Sequence, residues 1–281
     1  MKTLGYYNGK IDEIENMTIP MNDRVCFFGD GIYDATYCRN HIIYTLKEHI
    51  DRFFNSAKLL NMEVGMSKDE LAALLTELVL KVDDNEQFVY WQLTRGTGTR
   101  NHIPDKTQKS NLWVLLRPVK VKDTYKKTNL ITLEDTRFYH CNIKTLNLIV
   151  NVMASQKADE AGCHEVVFHR GERVTECAHS NVHIIKDGTF ITPPTDNLIL
   201  SGIARMNLIK FAGKLGIPVC ERPFTCAELM DADEVIISSS GSFCIAANEV
   251  DGIAVGGKAP KILKLLQDAA VADYIEKTAV K

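Results

Sequence analysis

Lys144 stands in Ile143-Lys144-Thr145-Leu146-Asn147, at the centre of a stretch from Asp135 to Met153 whose middle is mostly apolar and uncharged. An ammonium there is poorly solvated. Burial lowers a lysine pKa from about 10.4 toward neutrality, which makes the amine a nucleophile able to form a Schiff base. The competing reading is a lysine that snorkels its head to solvent from a strand end. Downstream, Val174-Thr175-Glu176-Cys177-Ala178-His179-Ser180-Asn181 follows a polar turn at His169 to Arg173 and carries one acid, Glu176. On its own Glu176 also reads as a solvent-exposed glutamate at a strand end.

Three further places have the residue types that hold anions. Arg52 follows His49-Ile50-Asp51 near the expected N-terminal turn of a helix, where backbone N–H groups and a planar guanidinium suit a phosphate. A solvated arginine is the alternative. The loop Arg95 to His102 gathers two arginines and a histidine around Gly96 and Gly98, a composition common in anion-binding loops and equally in solvated ones. A helix opening at Gly202 offers its first N–H groups, from Ile203 and Ala204, and the turn Ser238-Ser239-Ser240-Gly241-Ser242 offers hydroxyl and backbone donors. A plain serine-rich surface turn fits the second of these as well. No C-x-x-C or clustered Cys/His spacing is present, so no metal site is expected.

Taken in order, Phe28-Gly29-Asp30-Gly31-Ile32-Tyr33, His49-Ile50-Asp51-Arg52, Thr94 to His102 (TRGTGTRNH), I-K-x-L-N and V-T-E-x-x-x-S-N resemble the class IV, fold-type IV pyridoxal-phosphate aminotransferases. Within them the pattern is most similar to the D-amino-acid aminotransferases, over nearly the whole chain. The resemblance implies an α/β (α+β) fold of two domains with mixed sheets and flanking helices, and pyridoxal 5′-phosphate as cofactor. It implies a homodimer with the site at the subunit interface, acting on an amino acid and a 2-oxo acid. Lys144 then tethers the cofactor and shuttles the proton, and Glu176 keeps the pyridine nitrogen protonated. Arg52, Ile203, Ala204, Ser239 and Ser240 hold the phosphate. Tyr33, otherwise readable as an aromatic packed in a sheet, joins Arg100 and His102 on the substrate carboxylate.

Two positions depart from the family pattern. Ala204 stands where these enzymes often carry a threonine hydroxyl, leaving backbone donors only, and His179 replaces a serine or alanine beside the cofactor. Three other activities stay open: a branched-chain L-amino-acid aminotransferase, an aminodeoxychorismate lyase using the same lysine, and a ligand-binding protein that kept the fold.

The elements that must position these residues are legible in outline. Asn8-Gly9 predicts an edge hairpin within Leu4 to Ile11, and Tyr33 to Arg39, Gln87 to Thr94 and Asn111 to Arg117 predict strands. His49 to Met62 shows a helical apolar stripe that leaves Asp51 and Arg52 off the core face, and Ser67-x-x-Glu70 opens a second helix. Pro118 to Lys127 reads as a linker, giving a smaller N-terminal domain over 1–120 and a larger cofactor-binding domain over 128–281. In the latter, Val166 to Phe168 and Val182 to Ile185 flank the glutamate as strands, with helices through Ala161, from Gly202 to Leu215 and from Pro260 onward.

A chain of 281 residues with 25% charged and 45% hydrophobic side chains is ordinary for a globular protein with a sizeable core. Its net charge of −3, without blocks of like charge, argues against nucleic acid or an anionic membrane surface as partner. The start MKTLGYYNGK lacks the apolar core of a signal peptide, so a cytoplasmic location is expected, with the eight cysteines reduced and buried.

Overall fold

The computed structural model describes residues 1–280. Two compact units divide the chain: Met1–Val121 with Ile143–Asn147 and the residues from Ile275 on, and Lys122–Asn142 with Leu148–Tyr274.

The first unit runs β1 (Leu4–Tyr7), β2 (Lys10–Asp12), α1 (Arg24–Phe28), β3 (Gly31–Arg39), β4 (Ile42–Ile43), α2 (Leu46–Leu59), α3 (Lys68–Val79), β5 (Glu86–Thr94) and β6 (Asn111–Pro118). Its six strands form one antiparallel sheet in the order β2-β1-β6-β5-β3-β4. Asn8 and Gly9 both take positive φ, 47° and 97°, as a two-residue hairpin of this hand requires. β3 alternates buried and partly buried residues because one of its faces lies on a core that includes Phe53, Leu71, Leu75, Leu78 and Trp91. α3 starts on its capping box: Glu70 N–H donates to Ser67 Oγ, and Ser67 N–H to the Glu70 carboxylate.

α2 begins at Leu46, not His49, after Thr45 in the left-handed region, so Arg52 lies in the second turn rather than the first. Nor does Arg52 point off the core: its side chain is mostly buried, whereas that of Asp51 is half-exposed and pairs with Lys47 and Lys68. The cause is Asp34 on β3, whose fully buried carboxylate draws Arg52 inward.

The second unit runs β7 (Thr128–Glu134), α4 (Ile149–Glu160), β8 (Glu165–Arg170), β9 (Arg173–Cys177), β10 (Asn181–Lys186), β11 (Thr189–Thr192), α5 (Ile203–Lys214), β12 (Val219–Glu221), α6 (Cys226–Met230), β13 (Glu234–Ser238), β14 (Ile245–Val250) and β15 (Ile253–Ala254), then α7 (Pro260–Lys277), whose last residues group with the first unit. The nine-stranded sheet is mixed, in the order β12-β11-β10-β13-β14-β7-β8-β9 with β15 beside β14. β11–β12, β14–β7 and β7–β8 pair in parallel. Its core includes Val167, Val182, Ile184, Phe224, Leu229, Val235 and Ile237. The glutamate segment is itself the edge strand β9. Among the described residues no helix is long and apolar enough to cross a membrane. All eight cysteines are free; Cys38, Cys141, Cys177 and Cys244 are buried as expected, but Cys26 is exposed and the other three are half-buried.

Candidate active site

In the first unit the lysine segment lies along β3 as a short added strand. Tyr33 N–H donates to the Lys144 carbonyl at 3.0 Å, Leu146 N–H donates to the Gly31 carbonyl at 3.1 Å, and Ile32 pairs with Thr145. Gly31 is required for this approach: a Cβ there would meet the Leu93 carbonyl oxygen at 2.5 Å and Leu146 Cδ1 at 2.7 Å. Lys144 N–H reaches Ser56 Oγ on α2 at 3.3 Å. The backbone of the lysine is thus fixed at three points, and its half-buried side chain puts Nζ 4.3 Å from the centre of the Tyr33 ring. Tyr33 in turn stacks on Tyr90, ring centres 5.5 Å apart.

Beside this segment, Arg52 donates to Asp34 through Nε (2.9 Å) and Nη2 (2.7 Å), and His49 Nδ1 lies 2.7 Å from the same carboxylate. Burial opposes charge on Asp34, but Arg52 and His49 outweigh it and hold the carboxyl well below the usual range. Burial also keeps His49 below its ordinary value, against the pull of Asp34. His49 and Arg52 reach the same carboxylate because residues three apart share a helix face.

Arg100 and His102 are exposed and share one neighbour: the Arg100 guanidinium lies 5.4 Å from the centre of the Phe28 ring, and the His102 ring 5.1 Å from it. The other arginine of that loop, Arg95, is engaged elsewhere, with Asp30 and the Leu60 and Asn61 carbonyls. Among the described residues no hydrogen bond or ring contact joins Tyr33 to Arg100 or His102 within one chain.

In the second unit Glu176 is buried at the end of β9. Its Oε1 accepts from Arg137 Nη1 at 2.6 Å, and its Oε2 accepts from Asn181 Nδ2 at 3.1 Å and from Leu200 N–H at 3.0 Å. Arg137 also forks onto Asp135, with Nε and Nη2 each at 2.9 Å, and lies 4.7 Å from the centre of the Phe168 ring. Burial disfavours charge on Arg137, yet Asp135 and Glu176 together push its pKa upward and keep it cationic.

Asn181 gathers the remaining candidates. Its amide donates to Leu200 O as well as to Glu176, and its Oδ1 stands 2.0 Å from where a Cβ on Gly202 would be, so only glycine fits at the start of α5. Gly202 has no side chain to cap the helix, which leaves the Ile203 and Ala204 N–H groups outside the intrahelical ladder. Asn181 also pairs across strands with Ser238, next to the Ser239–Ser242 turn, where the Ser239 and Ser242 hydroxyls are 2.7 Å apart. Glu176, Ile203, Ala204, Ser239 and Ser240 therefore stand at one end of the nine-stranded sheet.

His179, singled out as unusual, is half-exposed, with Nδ1 3.1 Å from buried Glu165 on β8. Burial, eased by bonds from Ser180 and the His179 N–H, pushes Glu165 up to about 7. Sequence reasoning assigned no role to Asp34, His49, Asp135, Arg137, Asn181 or Glu165. The Asp-Thr-Arg run at 135–137 and the His49/Arg52 spacing were the available signals.

A family model described as amino-transferase class IV matches residues 31–250. A D-alanine aminotransferase of Listeria monocytogenes is 41% identical over 267 residues, 92% of each chain, and one of Bacillus licheniformis is 34% identical over 282 residues, 99% of each. In fold, the chain is similar to the branched-chain amino acid aminotransferase from Escherichia coli, with a TM-score of 0.90 at 22% identity over 100% of this chain and 97% of that one. It is also similar to the Thermoproteus uzoniensis branched-chain aminotransferase crystallised with norvaline, at 0.86 and 20% identity over 97% of both chains.

Proposed function

The chain belongs to the class IV aminotransferase family, and on that premise we propose that it transfers amino groups from D-amino acids such as D-alanine, D-glutamate or D-aspartate to 2-oxo acids such as 2-oxoglutarate or pyruvate. The observation that carries the chemistry is the lysine segment bound along β3, which presents one half-buried amine on a fixed backbone. The D-alanine aminotransferases similar over nearly the whole chain carry the choice of substrate hand.

Pyridoxal 5′-phosphate is the family's cofactor, and when bound it supplies an aldehyde for the amine and a ring that accepts electrons. The residues present fit it. The cluster around Asn181 offers a buried carboxylate, an uncapped helix start that any Cβ at Gly202 would crowd, and a serine turn, at one end of one sheet. In this reading Lys144 Nζ is the amine that would hold the cofactor, and as a free base it would take the proton from the substrate α-carbon and give it back. Glu176 holds a proton on the pyridine nitrogen, while Arg137 and Asn181 fix the carboxylate's place. Arg52, aimed by Asp34, and the N–H groups of Ile203 and Ala204 with Ser239 and Ser240 take the phosphate. Ala204 brings no hydroxyl, so that end of the grip is backbone only.

For a D-substrate to give its α-proton to Lys144, its carboxylate must be the fixed anchor. Tyr33, Arg100 and His102 are the residues we assign to it, with Arg100 supplying the charge. The homodimer that the family resemblance implies is part of this reading.

The test is a panel of D- and L-amino acids with 2-oxoglutarate. D-alanine or D-glutamate should be the faster donors. If L-leucine or L-valine outruns every D-amino acid, the branched-chain alternative replaces this reading; pyruvate released without any acceptor would instead indicate the lyase.

A further inference from the structure

Helix α1, from Arg24 to Phe28, is physically joined to the loop that carries Arg100 and His102. Arg24 is buried, yet it faces the loop: Nη1 donates to the Asn101 carbonyl, Nη2 to the His102 carbonyl at 3.2 Å, and Nε to Asp30 at 2.8 Å. Its own N–H donates to the Gly96 carbonyl at 2.9 Å, and Gly98 N–H donates to the Asn22 carbonyl at 2.9 Å. Asp23 beside it is fully buried and serves three donors, Val25 N–H, Thr94 Oγ1 and Asn111 Nδ2. Asp30 is shared between Arg24 and Arg95, one at each end of the linkage.

The Phe28 ring completes the arrangement. Arg24 lies 4.9 Å from its centre, with Arg100 at 5.4 Å and His102 at 5.1 Å. A loop with two glycines and two exposed functional side chains would otherwise sample many geometries. Here the carbonyl of His102 and that of the residue next to Arg100 are both held by one rigid guanidinium fork, and both functional side chains rest on one ring.

We propose that Arg24 and Phe28 are positioning residues that present Arg100 and His102 to the substrate carboxylate. The proposal rests on the reading of Arg100 and His102 as carboxylate ligands. Arg24 touches no substrate; it fixes where the loop's two cations stand, and so sets affinity for any amino acid or 2-oxo acid through the carboxylate they share. Lysine cannot replace it, because a single ammonium cannot serve both carbonyls and Asp30 with a planar fork.

The experiment compares Arg24→Lys, Arg100→Ala and the double variant as holoenzymes, measuring KM and kcat for D-alanine, cofactor affinity by absorbance titration, and Tm. Arg24→Lys should raise KM about tenfold, roughly the worth of one charge-assisted hydrogen bond, with kcat and cofactor affinity little changed. The double variant should have a KM within about twofold of Arg100→Ala alone, since non-additivity marks residues acting through one another. If Arg100→Ala raises KM while Arg24→Lys does not, or if Arg24→Lys lowers kcat, cofactor affinity and Tm together, the positioning role is wrong. If Arg100→Ala itself leaves KM unchanged, the carboxylate reading falls and takes this proposal with it. Should Arg24→Lys not fold, Phe28→Leu decides the same question by the same split between KM and kcat.

Discussion

In the first unit a fully buried carboxylate, Asp34, reaches out to hold an arginine, Arg52; in the second a buried arginine, Arg137, reaches out to hold a carboxylate, Glu176. Each pair has a helper, His49 in the one case and Asp135 in the other. Under the proposed function the difference lies in which partner the cofactor would need. A phosphate calls for a cation, so in the first unit the acid would be support. A pyridine nitrogen calls for an anion, so in the second the base would be support. In both, the supporting charge is taken out of water so that its partner has one preferred place, and removing the support strands a buried charge.

The largest effect should come from Arg137→Met, which leaves Asp135 and Glu176 buried together without their shared cation; a loss of about 3–5 kcal/mol is expected from breaking a buried pair, read as a lowered midpoint in urea unfolding. An unchanged midpoint would mean that the network is dispensable to the fold. Next, the two functional partners should fail in different ways. Glu176→Gln should keep the cofactor and slow the half-reaction by about a hundredfold, within the usual range for acid–base groups. Arg52→Ala should instead release cofactor, by about 1.5–3 kcal/mol for a lost hydrogen bond to a charged group. Stopped-flow half-reactions and cofactor titration of both variants separate the two; wild-type half-reaction rates in Glu176→Gln would remove that residue from the chemistry.

A smaller effect sharpens the contrast, because Glu165 is a buried carboxylate with no cation as strong as either pair possesses. Burial raises its pKa from 4.5 to about 7. The folded chain therefore binds this proton more tightly than the unfolded one. Its contribution is complete below about 4.5 and is lost as pH rises through 7. Glu165→Gln, which keeps an acceptor for the His179 N–H and removes the charge, mimics the neutral form. It should gain roughly 3 kcal/mol over wild type at pH 8 and at most about 1 kcal/mol at pH 5, checked by urea unfolding at both values. Equal differences at the two pH values would show that Glu165 does not titrate in this window.

How much of this was legible in the sequence depended on distance along the chain. Lys144 and Glu176 could be singled out as candidates because each sits in a contiguous run whose chemistry is local. The supports could not, because Asp34 meets Arg52 only where a strand meets a helix, and Arg24 meets Asn101 and His102 only after β5 has turned back. Strands such as β3 announced themselves by alternation, since one face is packed and the other is partly open. β9 did not, because Val174 to Cys177 are all buried and leave no polar face to mark the period. The start of α2 was misplaced because Thr45 adopts the left-handed region and makes no side-chain cap, so no capping signal precedes Leu46. Arg52 was accordingly assigned to the helix terminus, when its position is set by Asp34.

The pairs matter only if the amine they serve is Lys144. Borohydride reduction of the holoenzyme followed by peptide mapping tests that directly: the pyridoxyl group should be found on the peptide carrying Ile143-Lys144-Thr145, and recovery on any other lysine would contradict it.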